Sequence, residues 1–169
     1  MTQTVNRVES KKVLYELSNG GCLKIDKNAL RIMNGYKQSE KKDVEAGGII
    51  MGRFIKNSKN IIIDKITEPA KDDKRSRYSF KRISLQHQLT LEEEWTNSFG
   101  TCNYLGEWHT HPEDYPTPSS IDLKDWKRKL KTDIFSSRYL YFIIAGITEV
   151  EIWEGDRRNL EIKQLKKIK

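Results

Sequence analysis

Two histidines stand two positions apart, at His109 and His111, in a segment rich in β-forming residues. Side chains alternate between the faces of a strand, so both imidazoles are expected on one face, where they can approach the same ion. Asp122 follows across a proline-rich loop, in the first turn of a predicted helix, and can add a carboxylate if the loop folds back. Three such ligands leave a fourth position open, which is typical of catalytic rather than structural zinc sites.

These residues alone have a second interpretation. A His-x-His pair in a strand is more often structural or incidental than a pair of ligands. Asp122 by itself could serve only to place negative charge at a helix start. Two of the three histidines in the chain nevertheless fall in one tripeptide, which favours a metal site without establishing it. The third, His87, lies among polar residues and is expected at the surface.

The elements that must position these residues are predicted from turn, cap and periodicity signals. Strands are expected on both sides of Asn19-Gly20, after Gly47-Gly48, from Ile61 to near Pro69, and over 103–111, 139–146 and 150–153. Helices are expected over 26–38, over 84–98 and from Ser119 or Ser120 onward, with caps at Asp26, Ser84 and one of those two serines. The order β-α-β-β-α-β-α-β-β predicts an α+β fold, a mixed curved β-sheet flanked by helices.

The third predicted helix has an apolar pair, Trp126 and Leu130, four residues apart, and both are expected in the core. The second predicted helix carries Leu85, Leu89, Leu91 and Trp95. Residues 112–118 contain three prolines and must be irregular. Glu113 and Asp114 of that loop are expected to face solvent rather than to bind a metal.

The length of 169 residues fits one domain over 1–169, with residues 1–10 as a flexible leader. The start of the chain lacks the apolar core of a secretory signal. The longest apolar stretch, over 139–147, is far shorter than the ~20 residues that span a bilayer. A cytoplasmic protein without a membrane partner is therefore expected, in which Cys22 and Cys102 are buried thiols.

Basic residues exceed acidic ones by 31 to 24, which gives a net charge of +7. Much of the excess lies in residues 71–82, with six basic and two acidic side chains, and these are expected to form a loop. Such a charge excess fits a nucleic-acid partner, an acidic protein partner or an ordinary solvated surface. No base-stacking motif accompanies the basic residues, so nucleic acid is the least favoured partner, and the loop could instead steer a substrate.

The segment Glu-Trp-His-Thr-His-Pro, followed by Pro-Ser-Ser-Ile-Asp, resembles the signature of the JAB/MPN (JAMM) zinc metallopeptidase family. That signature is a distant Glu followed by His-x-His-x₇-Ser-x₂-Asp, and the spacing from His111 reaches Ser119 and then Asp122. Glu45 stands before Gly47-Gly48 as the upstream Glu of the family does. The likeness covers nearly the whole chain and implies a single JAB/MPN-like domain.

The resemblance implies that His109, His111 and Asp122 bind one catalytic Zn²⁺. It implies that Glu45 is the general base and that the hydroxyl of Ser119 donates a hydrogen bond near the attacking water or the developing oxyanion. Glu40, Glu68 and Glu107 are other candidates for the base, but only Glu45 precedes Gly-Gly and a strand. Glu107 departs from the aromatic residue usual in eukaryotic members, and it could orient a histidine or face solvent.

The local sequence around these motifs is similar to that of a compact bacterial branch of the family, first labelled integrative-conjugative-element proteins. Relatives there are the deconjugating peptidases of type II CBASS antiphage operons. This implies an isopeptidase that cleaves after the C-terminal residue of a modifier-like protein, here a conjugated cyclic-dinucleotide synthase. The substrate is expected to present an extended C-terminal tail that pairs with a sheet edge.

Other functions remain open from the sequence. A bacterial JAB peptidase could instead process a ubiquitin-like or sulfur-carrier protein, and another metal hydrolase could cleave a small amide with the same residues. The chain could also be a non-catalytic MPN scaffold or a nucleic-acid-binding module. A scaffold should contain no stoichiometric zinc, so the metal content of the purified protein distinguishes it from a peptidase. A nucleic-acid module should bind DNA or RNA with an affinity that falls steeply with salt.

Overall fold

The computed structural model describes residues 13–168, and the expected leader over 1–10 lies outside them. Its elements confirm the α+β class. The strands are β1 (Val13–Glu16), β2 (Cys22–Ile25), β3 (Gly47–Phe54), β4 (Ile61–Ile66), β5 (Lys74–Ser76), β6 (Ser79–Lys81), β7 (Asn103–Thr110), β8 (Tyr139–Ala145), β9 (Val150–Asp156), β10 (Ile162–Gln164) and β11 (Lys166–Lys167). The helices are α1 (Lys27–Gly35), α2 (Gln86–Asn97) and α3 (Ser120–Thr132).

Nine of these strands form one mixed sheet in the order β10-β9-β8-β7-β3-β4-β2-β1-β11. The pairs β2–β4 and β7–β8 are parallel, and the others are antiparallel. β10 and β11 lie on opposite edges of this sheet, although only Leu165 separates them in the chain. Leu165 is buried and its N–H donates to the carbonyl of Ile152 at 2.9 Å. The sheet therefore curves until one C-terminal segment pairs with both of its edges.

The inner face of the curved sheet holds the larger hydrophobic cluster. Trp108 of β7 and Ile143 of β8 belong to this cluster, and α1 adds Ala29 and Met33 to it. The hydroxyl of Tyr15 donates to the carbonyl of Val150 at 2.5 Å and joins β1 to β9 across the interior. Burial of this apolar surface supplies most of the driving force for closing the sheet.

The outer face carries α2 and α3. Trp126 and Leu130 of α3 pack with Phe142, Ile144 and Trp153, which confirms that these two α3 residues are core. Since Trp108 points inward, alternation along β7 places Glu107 and His109 on the outer face beside α3.

The first helix is shorter than the sequence predicts. Asp26 is its N-cap, as expected, and its carboxylate accepts from the N–H of Asn28. The helix ends at Gly35, however, and Gln38 lies beyond it in a loop with a nearly fully buried side chain. The buried side chain of Gln38 satisfies its amide through backbone and hydroxyl partners that a helical position would not reach.

The second helix differs from expectation at its start. It begins at Gln86 after Leu85, whose side chain makes no cap bond, while the hydroxyl of Ser84 accepts from the N–H of Gln86 at 3.2 Å. Leu89 and Trp95 are 55% and 54% exposed, and Leu85 is 78% exposed, so these three apolar side chains face solvent. Only Leu91 of the four packs against the outer face of the sheet.

The basic segment over 71–82 is a β-hairpin rather than a loop. β5 and β6 pair through Arg75 and Phe80 and form a separate two-stranded sheet. Both ends of the hairpin are fastened to Asp73, which accepts from the N–H groups of Ala70, Ile83 and Ser84. The hairpin therefore has a fixed base.

His87 is buried, so its expected surface position is wrong. Its Nε2 lies 2.6 Å from Asp73 Oδ2 and its Nδ1 lies 2.6 Å from the hydroxyl of Thr67. These contacts tie α2 both to the hairpin base and to the end of β4. Cys22 and Cys102 are both free thiols, as expected, but Cys22 is only partly buried.

No helix within residues 13–168 combines the length and apolar character needed to cross a membrane.

Candidate metal centre

The side chains of His109, His111 and Asp122 converge on one point at the outer face of the sheet. The two Nε2 atoms are 3.1 Å apart. Asp122 places Oδ1 3.4 Å from Nε2 of His109 and Oδ2 3.2 Å from Nε2 of His111. Ligand atoms bound to a tetrahedral zinc at about 2.0–2.1 Å are themselves about 3.4 Å apart. The three groups can therefore hold a single metal ion with little movement.

The backbone of β7 and its neighbours fixes the two histidines. His109 pairs in register with Gly47 of β3 and Ile144 of β8. His111 lies just after β7, and its N–H donates to the carbonyl of Ala145 at 3.1 Å, so the extended conformation continues through it. Both histidines are buried, and their Nε2 atoms lie 3.1 Å apart, which confirms that they share one face.

Asp122 reaches the histidines because the proline loop folds back over the end of β8. The N–H of Ile147 donates to the carbonyl of Glu113 at 2.7 Å, and the hydroxyl of Thr148 donates to the carboxylate of Asp114. A side chain at Gly146 would meet Pro116 Cδ at 2.5 Å, so this close approach requires glycine. Glu113 and Asp114 are exposed, as expected.

The start of α3 orients the carboxylate. Ser119 is the N-cap: its hydroxyl oxygen accepts from the N–H of Asp122 at 3.0 Å, while Asp122 Oδ2 accepts from the N–H of Ser119 at 2.9 Å. This capping box satisfies two backbone donors at the helix start. It also leaves Oδ1 of Asp122 free to face His109.

The charges of this cluster are strongly coupled. Burial would raise the pKa of Asp122, but hydrogen bonds from His109 and His111 hold it well below its usual range. Burial would lower the pKa of His111, but its hydrogen bond to Asp122 outweighs burial and raises it. The carboxylate is therefore ionised whenever the site could bind a cation.

Glu45 lies beside the cluster, with Oε1 3.9 Å from Nε2 of His111. Its side chain is 7% exposed. Burial raises the pKa of Glu45 to about 7; His109 and His111 oppose the shift, while Asp122 adds to it. A carboxylate with a pKa near neutrality is suited to accept and return a proton.

The other glutamates considered from the sequence lie elsewhere. Glu40 is exposed and pairs with Lys42, and Glu68 is exposed and accepts from the hydroxyl of Tyr36. Glu107 shares the outer face with His109, but its carboxylate binds Lys129 at 2.8 Å. Among these four residues, only Glu45 is placed beside the histidine pair.

Two buried residues that the sequence did not single out hold the backbone at Glu45. The hydroxyl of Thr110 accepts from the N–H of Ala46 at 2.9 Å and donates to Oε1 of Gln38 at 2.9 Å. Gln38 in turn donates to the carbonyl of Arg77 at 2.8 Å. The only sequence signal that could have identified Thr110 was the alternation of side chains in β7, which places it on the face opposite the histidines.

The β5–β6 hairpin also contacts this backbone. The N–H of Glu45 donates to the carbonyl of Ser76 and the Nε of Arg75 donates to the carbonyl of Glu45, both at 2.7 Å. Phe80 packs against Gly47, where an added Cβ would lie 2.6 Å from its ring. The glycine at the strand start thus permits the close approach of the hairpin.

A cavity of about 780 Å³ opens over the cluster. The hairpin forms one wall through residues 77–82, and α3 forms the other through Ile121, Asp122, Asp125, Arg128 and Lys129. Ser119 also lines the cavity, so its hydroxyl borders the space in which a substrate could lie. The arrangement can bind a cation at its floor and admit an extended chain beside it.

Comparisons with known proteins agree with this geometry. A family described as "Prokaryotic homologs of the JAB domain" matches residues 31–156. A protein of Escherichia coli named CD-NTase/cGAS isopeptidase is 36% identical over 135 residues, which cover 80% of this chain and 81% of the relative. A Pseudomonas aeruginosa protein of the same name is 39% identical over 110 residues, covering 65% and 68% of the two chains.

A likeness to a solved structure supports the fold alone. The solution structure of a protein from Desulfitobacterium hafniense superimposes with a TM-score of 0.56 at 18% identity, covering 83% of this chain and 87% of the other. The family match extends over most of the chain and includes all of the converging residues from Glu45 to Asp122. The chain therefore belongs to the family of prokaryotic homologs of the JAB domain.

Proposed function

We propose that this chain, taken as one JAB domain over 1–169, is a zinc-dependent isopeptidase that cleaves a protein conjugate after the C-terminal residue of a modifier-like protein. The observation that carries the proposal is the convergence of His109, His111 and Asp122 beside buried Glu45 at the floor of an open cavity. The names of the relatives support a CD-NTase-type protein, a cyclic-dinucleotide synthase, as the conjugated substrate in CBASS antiphage defence.

His109, His111 and Asp122 would hold one zinc ion. When bound, zinc supplies a Lewis acid that polarises the scissile carbonyl and makes a water molecule more acidic. The separations between their ligand atoms match those of a tetrahedral site, and one position is left open toward the cavity. A site of this kind serves catalysis rather than folding alone.

Glu45 would accept the proton of the attacking water and return it to the leaving amine. Its pKa near 7 lets it perform both transfers at neutral pH, and a bound dication would lower that pKa by favouring the ionised form. Ser119 would donate a hydrogen bond to the oxygen of the scissile carbonyl. Its oxygen already accepts the helix N–H, so its own proton remains available for that bond.

The test is cleavage of a purified conjugate in which the C-terminus of a cyclic-dinucleotide synthase is joined by an isopeptide bond to a lysine of a second protein. The zinc-loaded chain is expected to release both proteins intact, and phenanthroline is expected to stop the reaction until zinc is added back. Glu45→Gln is expected to reduce turnover by about 10²–10⁴-fold while retaining zinc. Asp122→Ala is expected to lose both zinc and activity.

Glu40→Gln is the matched control, because it makes the same chemical change at an exposed glutamate away from the cluster. It should cleave at the unmodified rate. Full turnover by folded Glu45→Gln, or stoichiometric zinc in Asp122→Ala, would contradict the assigned roles. A ubiquitin-like conjugate run in parallel separates the two substrate classes, since preferential cleavage of that conjugate would redirect the proposal to modifier processing.

A further inference from the structure

The cavity continues past the metal centre along β7 and α3 to a basic wall. Arg82 forms the hairpin side of this wall, and Arg128 and Lys129 form the α3 side. The carboxylate of Glu107 lies between them on the outer face of the sheet. These groups are distinct from the residues that converge on the metal.

Two of the three cations are already neutralised. Lys129 binds Glu107 at 2.8 Å and also pairs with Asp125, and Arg128 binds Asp125 at 2.5 Å. The nearest carboxylate oxygen to Arg82 is that of Glu107, at 4.0 Å from Nη1. At that separation no hydrogen bond forms.

Nη1 of Arg82 is buried from solvent and has no hydrogen-bond partner among the residues that the structure describes. A buried charged donor without an acceptor is costly, and an acceptor supplied by a ligand would remove that cost. Glu107 is held by Lys129, which keeps it from turning fully toward Arg82.

The charge beside Arg82 favours an anionic group. Lys81 also lines the cavity from the hairpin, so this part of the lining has four cations, Lys81, Arg82, Arg128 and Lys129. It has three carboxylates, Glu107, Asp125 and Asp133, the last of which accepts from the hydroxyl of Tyr104. The other lining carboxylates, Glu45, Glu113 and Asp122, lie at the metal centre, and Nη1 of Arg77 donates to the carbonyls of Glu40 and Lys41. A small positive excess remains at this end of the cavity, and Nη1 of Arg82 has no acceptor there within the described part of the chain.

The distance from the metal centre sets which substrate residue could reach Arg82. Glu107 precedes His109 by two strand positions, a rise of about 7 Å. Lys129 follows Asp122 by seven helical positions, a rise of about 10 Å. An extended chain advances about 3.3 Å per residue, so the wall faces a side chain two or three residues from the scissile carbonyl.

We propose that Arg82 is the centre of a specificity subsite that binds the carboxylate of an acidic residue, two or three residues before the C-terminal residue of the substrate's tail. This inference rests on the proposed function for the direction of the tail. The side chain of Arg82 is 24% exposed, so a rotation of its guanidinium would bring Nη1 to the cavity. Arg82 would then offer two parallel N–H groups to a carboxylate, a geometry that a neutral amide matches poorly. The subsite would let the enzyme distinguish one tail from others that share a small terminal residue.

The test is peptide binding, which needs no turnover. Zinc-loaded Glu45→Gln protein is titrated into fluorescein-labelled pentapeptides that end in alanine amide and carry Glu or Gln third or fourth from the end. Fluorescence anisotropy is expected to show about tenfold tighter binding of the Glu peptide at one of the two positions. Adding Arg82→Gln is expected to bring the Glu-to-Gln ratio to about one without changing affinity for the Gln peptide.

Arg53→Gln is the matched control, because its loss changes the net charge by the same amount. Arg53 of β3 pairs with Asp64 of β4 and does not line the cavity. It should keep the preference. Arg82→Lys, which retains the charge without the fork, should keep a reduced preference and guards against a folding defect in Arg82→Gln. Equal binding of Glu and Gln peptides at both positions, or no binding of either, overturns the subsite.

The two proposals fail separately. If the Glu and Gln peptides bind equally while the unmodified chain cleaves the conjugate, then the subsite is overturned and the proposed activity stands. An intact preference for the Glu peptide in a chain that cleaves no conjugate overturns the activity and leaves the subsite in place.

Discussion

Ser119 and Asp122 bind each other reciprocally at the start of α3. The Ser119 hydroxyl oxygen accepts from the Asp122 N–H at 3.0 Å, and the Asp122 carboxylate accepts from the Ser119 N–H at 2.9 Å. The same carboxylate lies 3.2 Å from Nε2 of His111. One motif therefore starts the helix and aims the acidic group at the histidines, so helix capping and metal geometry depend on the same two residues.

Replacing Ser119 should separate its capping role from its proposed role in catalysis. Ser119→Ala removes the cap and should lower the free energy of unfolding by about 1 kcal/mol. It also removes the hydroxyl donor and should lower kcat by about 10²-fold. Urea unfolding and conjugate cleavage measure the two effects.

Ser119→Asn is the matched variant, because asparagine caps helices as well as serine does but lacks the hydroxyl. It should restore the free energy of unfolding while kcat stays low. If Ser119→Asn regains full activity together with stability, then the hydroxyl has only a structural role at the helix start.

Trp126 couples the stability of the outer face to the metal centre. Its ring stacks on Phe142 with centroids 4.7 Å apart and lies 6.3 Å from the ring of His109. Trp126→Ala should lower the free energy of unfolding by about 3–5 kcal/mol, because it leaves a cavity between α3 and the sheet. α3 carries Asp122, so zinc content after dialysis should fall as well.

Lys127→Ala is the control for this prediction, since Lys127 is the exposed neighbour on the same helix. It should unfold within about 0.5 kcal/mol of the unmodified chain and keep its zinc. Trp126→Ala with unchanged thermal stability would show that α3 is held to the sheet by other contacts.

The Asp73–His87 contact should make stability depend on pH in the acid range. Burial would raise the pKa of Asp73, but the hydrogen bonds from His87 and from three backbone N–H groups lower it from 3.8 to about 2. The side chain of Asp73 is fully buried. Its ionisation therefore contributes about 2 kcal/mol of stability that is complete above about pH 4 and is lost as pH falls toward 2.

Asp73→Asn tests this contribution by urea unfolding at pH 7, 4 and 2.5. The unmodified chain should exceed the variant by about 2 kcal/mol at pH 7, and the difference should shrink between pH 4 and 2.5. Asp72→Asn alters the exposed neighbour and should show no such convergence. A difference between Asp73→Asn and the unmodified chain that is the same at all three pH values would rule out this linkage.

The parts of the site that follow from local spacing were predictable from the sequence. His109, His111, Ser119 and Asp122 are fixed by strand alternation, a loop of set length and a helix cap, and the structure brings all four to one place. Glu45 required the resemblance to a known signature, because nothing in its local pattern connects it to residues far along the chain.

Other features depend on contacts between distant segments, which no local pattern encodes. The strands of the 74–81 hairpin are nearly all exposed, so they lack the apolar alternation that identifies a strand. His87 looks like a surface residue until Asp73 and Thr67 are brought to it by the fold. β10 and β11 are too short to be recognised and form because the curved sheet offers them two edges.

Thr110 provides the last test, because it acts on Glu45 only through the backbone. Its hydroxyl accepts from the N–H of Ala46 and donates to Gln38, and all three groups are buried. Thr110→Val keeps the shape but leaves the N–H and the amide oxygen without partners, at a cost of about 1–3 kcal/mol for each unsatisfied group. Glu45 is the next residue to Ala46, so its carboxylate should shift and kcat should fall more than KM changes.

Thr110→Ser keeps the hydroxyl and should retain kcat. Because Thr110 faces away from the histidines, zinc content should be unchanged in both variants. A loss of zinc in Thr110→Val, or unchanged kcat, would show that the position of Glu45 does not depend on this hydrogen bond.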